Sequence, residues 1–159
     1  MTDHSSANMP PRDVTVLVVD DDPDLLILCA THLRTAGYAV LMASGSVEAQ
    51  ATCDIYPTKI DLILVDALLY PPEIDMDHDR NVTPRIHGDK LVTILRIKRP
   101  LSRMLLMSAS TPWSLGGRGM SRVLRGYPFL QKPFTKQSLL DTVREVLARP
   151  LPAQSGRVG

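Results

Sequence analysis

LVVDDDPD (17–24) passes from apolar to strongly acidic within a few residues. Three consecutive carboxylates, Asp20, Asp21 and Asp22, close the apolar run. Like charges this close repel, and each is costly to take out of water. The residues leading into them, VTVLVV (14–19), form a continuous run, β-branched but for Leu17, the pattern of a strand buried on both faces. Asp22 can cap a following helix with Pro23 at its first position. The unit is a strand that ends in acid and turns at once into a helix.

Outward from this unit, strand and helix patterns alternate. Leu25, Cys29 and Leu33 follow at i, i+4 spacing, and Gly37 ends the helix. YAVLMA (38–43) reads as a second strand, and 46–56 as a second helix that stops before Pro57. IDLILVD (60–66) is a third apolar strand, and GDKLVTILRIKR (88–99) has helical spacing. RMLLMSA (103–109) is a fourth strand, and a weak helix interrupted by glycines is expected over 112–125. YPFLQ (127–131) is a short fifth strand despite Pro128, and 135–149 is a capped amphipathic helix. Five strands alternating with five helices predict an α/β fold, a doubly wound five-stranded parallel sheet covered on both sides.

The 159 residues fit one domain, expected over 13–149 between tails at 1–12 and 150–159. No apolar run approaches the ~20 residues needed to span a bilayer. The polar start, MTDHSSANMPPRD, lacks the hydrophobic stretch of a signal peptide. Cys29 and Cys53 are isolated in apolar surroundings, as buried reduced thiols of a cytoplasmic protein would be. The net charge of +1 conceals an asymmetry. Residues 1–95 carry 6 Lys/Arg against 15 Asp/Glu (−9), and residues 96–159 carry 12 against 2 (+10).

In a doubly wound sheet the site lies beyond the carboxyl ends of the strands. The polar residues expected there are Asp20 and Asp21, Asp66, Ser108 and Lys132, after the first, third, fourth and fifth strands respectively. Clustered carboxylates are tolerated when a hard divalent cation neutralises them, and Mg2+ prefers oxygen ligands. An Asp can also act as a nucleophile that accepts a phosphoryl group as an acyl phosphate. A metal and a lysine would then screen the charge gathered on the transferring oxygens.

Four segments, VLVVDDDPDLL, IDLILVDALL, LLMSAS and FLQKPF, occur in the order of a known family. With them, the chain resembles the receiver domain of bacterial two-component response regulators, of the stand-alone, CheY-like kind. The resemblance covers about 13–149 and implies a flavodoxin-like three-layer sandwich. It implies that Asp66 is the phosphoacceptor and Asp21 a direct Mg2+ (or Mn2+) ligand, with Asp20 nearby. The backbone carbonyl of Leu68 would complete the protein ligands. Ser108 would be the switch hydroxyl, Lys132 the phosphate-pairing cation and Phe129 the aromatic that rotates with the switch. Lys132-Pro133 matches the family's usual cis peptide. The implied partner is a histidine kinase or histidine phosphotransfer protein. The implied chemistry is limited to self-phosphorylation and self-dephosphorylation.

The chain departs from the family after Asp66. A glycine normally follows the phosphoacceptor by a short loop, and here the counterpart is Gly88, leaving a long insertion at about 70–86. Within it, DMDHD (75–79) resembles the start of a calcium loop, but Arg80 replaces the turn glycine and Ile86 the bidentate Glu. A solvated acidic loop is the simpler reading, and His78 and His87 lack a further ligand pattern. His32 reads as a packing or surface histidine, and Trp113 as a half-buried residue or a partner anchor. Nothing beyond PLPAQSGRVG follows the last helix, so an output without a DNA-binding module is expected. Two other functions compete with phosphosignalling. One is a degenerate receiver that binds partners without phosphorylation. The other is an Asp-nucleophile phosphatase, which would want an Asp-x-Asp motif and acids after the fourth strand. The basic residues Arg118, Arg122, Arg125, Lys136, Arg144 and Arg149 are candidates for a face that docks a protein target or a second copy through Asp141 and Glu145.

Overall fold

The computed structural model describes residues 13–67, 88–109 and 126–151. Their strands are β1 (Thr15–Val19), β2 (Ala39–Ala43), β3 (Leu62–Asp66), β4 (Arg103–Ser108) and β5 (Phe129–Gln131). The helices among them are α1 (Pro23–Thr35), α2 (Ser46–Ile55), α3 (Gly88–Lys98) and α4 (Lys136–Ala148). All strand pairs are parallel, in the order β2-β1-β3-β4-β5. The expected α/β doubly wound sheet is therefore present. The helix expected over 112–125, the insertion and both tails lie outside the described residues.

Side chains alternate across the sheet with period two, and the core divides accordingly. Val16 and Val18 of β1 face a cluster that includes Leu62 and Leu64 of β3, Leu26 and Leu33 of α1, and Leu139 and Val143 of α4. Leu17 and Val19 face the other way, among Ile63, Val65, Cys53 of α2, and Leu91 and Leu95 of α3. Helices α1 and α4 thus cover one face, and α2 and α3 the other. Every residue of β1 and β3 is buried, which is why both read as continuous apolar runs. Replacing one of these, Leu64 for example, with Ala would cost about 2–5 kcal/mol through the cavity left behind.

Two details differ from the sequence reading. Leu26, not Leu25, joins Cys29 and Leu33 in the core, because the buried stripe of α1 is Leu26, Cys29, Ala30 and Leu33. That is i, i+3, i+4, i+7 spacing, and Leu25 sits at its margin, half-buried. The fifth strand begins at Phe129 rather than 127, since Pro128 has no N–H for the ladder and contributes only its carbonyl, which accepts from Leu106 N at 3.0 Å.

Chain order fixes where a site can form. From β1 the chain moves outward to β2, then crosses back to β3 on the other side of β1. The connections after β1 and β3 therefore diverge, opening a crevice beyond their carboxyl ends. Asp20 follows one strand and Asp66 ends the other. No helix among the described residues is long and apolar enough to cross a membrane.

Candidate functional site

The three consecutive aspartates separate into three environments. Asp20 is completely buried; its backbone N–H donates to the Ala43 carbonyl at 3.1 Å, and its Oδ1 accepts from Asp22 N at 2.9 Å. Asp21 is half-buried and turns toward Asp66. Asp22 is exposed and caps α1, its Oδ1 accepting from the N–H groups of Asp24 (3.0 Å) and Leu25 (3.3 Å). Pro23, which has no N–H to satisfy, occupies the first helical turn. Only Asp20 and Asp21 are thus left to face the crevice.

Asp66, at the end of β3, joins them. Ligand oxygens of Asp20, Asp21 and Asp66 all lie within 4.8 Å of one another. At an effective dielectric of about 20, two unit charges so close repel by roughly 3.5 kcal/mol or more. Among the described residues, one ammonium partly offsets this. Lys132 Nζ lies 2.7 Å from Asp20 Oδ2 and 3.0 Å from Asp66 Oδ2. Its position is fixed from β5 by its own N–H, which donates to the Ser108 carbonyl at 2.8 Å. The expected cis Lys132-Pro133 peptide follows.

Burial pushes the Asp20 carboxyl above its ordinary value, with the Asp66 charge adding to the effect. The hydrogen bonds from Lys132 and from Asp22 N, and the Lys132 charge, only partly counter it. Burial disfavours the charged Lys132 ammonium. Its bond to Asp20 and the charges and bond of Asp66 prevail, so Lys132 is held above its ordinary value. Beneath the site, burial and then the Asp20 charge push the Cys29 thiol up to about 12, leaving it protonated and inert.

Among the described residues, three carboxylates meet one ammonium, and the donor atoms they offer are all oxygens. That donor set suits a hard divalent cation such as Mg2+, for which Asp20, Asp21 and Asp66 could serve as ligands. Leu68, whose carbonyl the sequence reading added to this set, lies outside the described residues. Ser108 is buried at the end of β4, one residue past the register partner of Asp66. Phe129 is half-buried against the α2/α3 side of the core. Sequence reading did not assign Ala67 a part, yet its backbone N–H donates to the Met107 carbonyl at 2.8 Å. That bond ties the end of β3 to β4 just past Asp66.

Of the basic residues assigned to a docking face, Arg118, Arg122 and Arg125 lie outside the described residues. On α4, Arg144 pairs with Asp141 at 3.2 Å, and beyond its end Arg149 pairs with Glu145 at 2.7 Å. The acids assigned to a symmetric partner are therefore engaged along their own helix, in surface pairs that are individually weak.

No protein-family model matches the chain. Among curated proteins, it is 26% identical over 151 residues to the transcriptional regulatory protein GlrR of Escherichia coli, covering 94% of this chain but 30% of that protein. The chain thus spans under a third of that relative's length. Among solved structures, it superposes on the chemotaxis response regulator CheY4 of Vibrio cholerae with a TM-score of 0.62 and 24% identity, covering 84% of this chain and 98% of that one. A CheY-like response regulator receiver domain protein from Methanospirillum hungatei gives a TM-score of 0.61 at 22% identity, with 84% and 93% covered. The parallel order β2-β1-β3-β4-β5, flanked by helices on both faces, is accordingly the fold of the response-regulator receiver domains, which this chain resembles.

Proposed function

We propose that this chain is a phosphoacceptor signalling protein, which takes a phosphoryl group on Asp66 from a histidine kinase or histidine phosphotransfer protein. The observation that carries the reading is the meeting of Asp20, Asp21 and Asp66 within 4.8 Å, with Lys132 bridging two of them at the switch point of the sheet. An Asp66 carboxylate oxygen attacks phosphorus, and a P–O bond forms as the P–N bond to the donor histidine breaks. The departing imidazole nitrogen keeps the electron pair and takes up a proton. Mg2+ held by Asp20, Asp21 and Asp66 would neutralise charge on the phosphoryl oxygens.

The chain's own groups do the rest. Lys132 already contacts an Asp66 oxygen and is positioned to pair with a phosphoryl oxygen there. Ser108 supplies a hydroxyl at the end of the next strand. Phosphorylation adds about one further negative charge at Asp66. Lys132 is drawn toward it and away from Asp20, and that movement is carried to Phe129 three residues earlier in the chain. The switched surface then engages a protein target or a second copy. Asp22 takes no part in this beyond fixing α1.

The test is incubation of the full chain with acetyl phosphate and Mg2+, read by intact mass. A single gain of about 80 Da is expected, one phosphoryl group on a carboxylate nucleophile. It should be absent in Asp66→Asn and in chelator. An adduct on a different aspartate, or one formed equally without a divalent cation, would sink the assignment. A chain that binds its partners without ever forming the adduct would be the degenerate receiver instead.

A further inference from the structure

The opposite edge of the sheet holds a second concentration of charge, which the acidic site does not use. A cavity of about 230 Å³ opens where β4 and β5 begin, beside the C-terminal ends of α3 and α4. Arg96, Arg103 and Arg149 line it, with Met104 and Val146 providing apolar wall. Their bonds place the guanidinium groups. Arg96 Nη1 donates to the Tyr127 hydroxyl at 2.9 Å, and Arg103 donates twice to the Arg149 carbonyl, at 2.7 and 3.0 Å. Tyr127 also lines the cavity.

Among the described residues, charge compensation there is incomplete. Arg149 has Glu145 at 2.7 Å, whereas among the described residues Arg96 and Arg103 bond only to neutral oxygens. Attraction to a helix C-terminus accounts for a cation in the last turn of α3. It does not require that cation to share an apolar-walled concavity with an arginine from β4. A guanidinium fork suits a carboxylate, and adjoining apolar walls can take the body of the same molecule.

We propose that this cavity binds a small organic carboxylate, its anionic group between Arg96 and Arg103 and a compact apolar body against Met104 and Val146. The volume lies below the usual range for drug-sized ligands and fits a molecule of roughly ten non-hydrogen atoms. The site is separate from Asp66, at the opposite end of the sheet where β4 and β5 begin, and does not depend on phosphorylation.

The experiment is an amide NMR titration of the full chain with benzoate, with benzyl alcohol and inorganic phosphate as controls. Benzoate should give saturable shifts at Arg96, Arg103, Tyr127 and Arg149 with a dissociation constant below about 5 mM. Benzyl alcohol, which lacks the charge, and phosphate, which lacks the apolar body, should each bind at least about tenfold more weakly. Arg96→Gln and Arg103→Gln should each weaken benzoate by about tenfold. Arg96 is exposed, so its variant keeps the fold and decides the matter even if Arg103→Gln does not fold. The proposal is overturned by any of four results: no saturable shift by about 20 mM benzoate, benzyl alcohol binding as tightly, phosphate binding as tightly, or unchanged benzoate affinity in Arg96→Gln.

Discussion

Lys132→Met tests the electrostatic account of the acidic site most directly. Lys132 is the cation that bridges Asp20 and Asp66, at 2.7 and 3.0 Å, and Asp20 is fully buried. At an effective dielectric of about 20 the two contacts correspond to gross attractions of about 6 and about 5.5 kcal/mol. Desolvation offsets much of this, and removing one partner of a buried pair costs about 3–5 kcal/mol net. Asp20 keeps its bond from Asp22 N and can take up a proton, so the lower end, about 3 kcal/mol, is expected in chelator at pH 7. Mg2+ should reverse the order of response. Without the ammonium, the carboxylates attract a divalent cation more strongly, and each tenfold gain in affinity adds about 1.4 kcal/mol at saturation. Urea unfolding of both proteins, with EDTA and with Mg2+, reads both quantities. Equal stabilities in EDTA, or a Mg2+ gain in wild type as large as in the variant, would refute the reasoning.

Three further outcomes follow from the site and its neighbouring contacts. Because the folded pKa of Asp20 is raised above 3.8, the folded state binds its proton more tightly; stability is therefore lost as pH rises through that raised value. In chelator, wild type should lose stability relative to Asp20→Asn as pH rises above about 4, and parallel pH profiles would contradict this. Glu48 behaves oppositely: it accepts from Ser44 N (2.8 Å) and Ser44 Oγ (2.7 Å), which hold its pKa below 4.5. Its contribution is present above that value and lost as pH falls through the folded pKa, so the stability gap to Glu48→Gln should close in acid. Asp22→Ala should cost about 1 kcal/mol through loss of the α1 cap, with an unchanged Mg2+ response; a lost Mg2+ response would place Asp22 among the ligands.

The strand–acid–helix unit was legible because each part has its own local signal. β1 is β-branched at every position but Leu17, and Asp22-Pro23 starts a helix by backbone rules alone. Ser108, Phe129 and Lys132 were assigned from ordered motifs alone, and of the three Lys132 is seen in contact with the carboxylates. The division of labour within the aspartate triplet was only half legible. Capping by Asp22 follows from the proline beside it, but the complete burial of Asp20 depends on Ala43 of β2 and Lys132 after β5. Those partners lie 23 and 112 positions away and are set by sheet order, which periodicity does not encode. The choice of Leu26 over Leu25 likewise needed the direction from which β1 and α4 approach the helix. The basal arginines carried no motif at all. Arg96 and Arg103 are close in sequence, but Arg149 meets them only because α4 returns to the start of β4. Read along the chain, the same residues looked like part of a general basic excess.

The placement of Lys132 explains why charge at Asp66 would be felt at the edge of the sheet. Neighbouring strands lie about 4.8 Å apart, so β5 is roughly 10 Å from β3 and further still from β1. A lysine side chain spans most of that distance only when extended, and here its ammonium reaches Asp66 and Asp20 together. Lys132 is therefore a strut between β5 and the two central strands. The Lys132 N–H bond to the Ser108 carbonyl anchors its near end to β4. A ligand shifts a conformational equilibrium only by its differential affinity for the two states. Under the proposed function, a cation would compete with the strut for the same carboxylates, and an added phosphoryl charge at Asp66 would pull the strut from Asp20. Each would act on the Lys132 contacts seen here. Under the same proposal, Phe129, half-buried at the start of β5, is the side chain whose packing would change in response. Burial, which raises the pKa of Asp20, thus makes its contact with Lys132 the one that cation binding or phosphorylation would perturb.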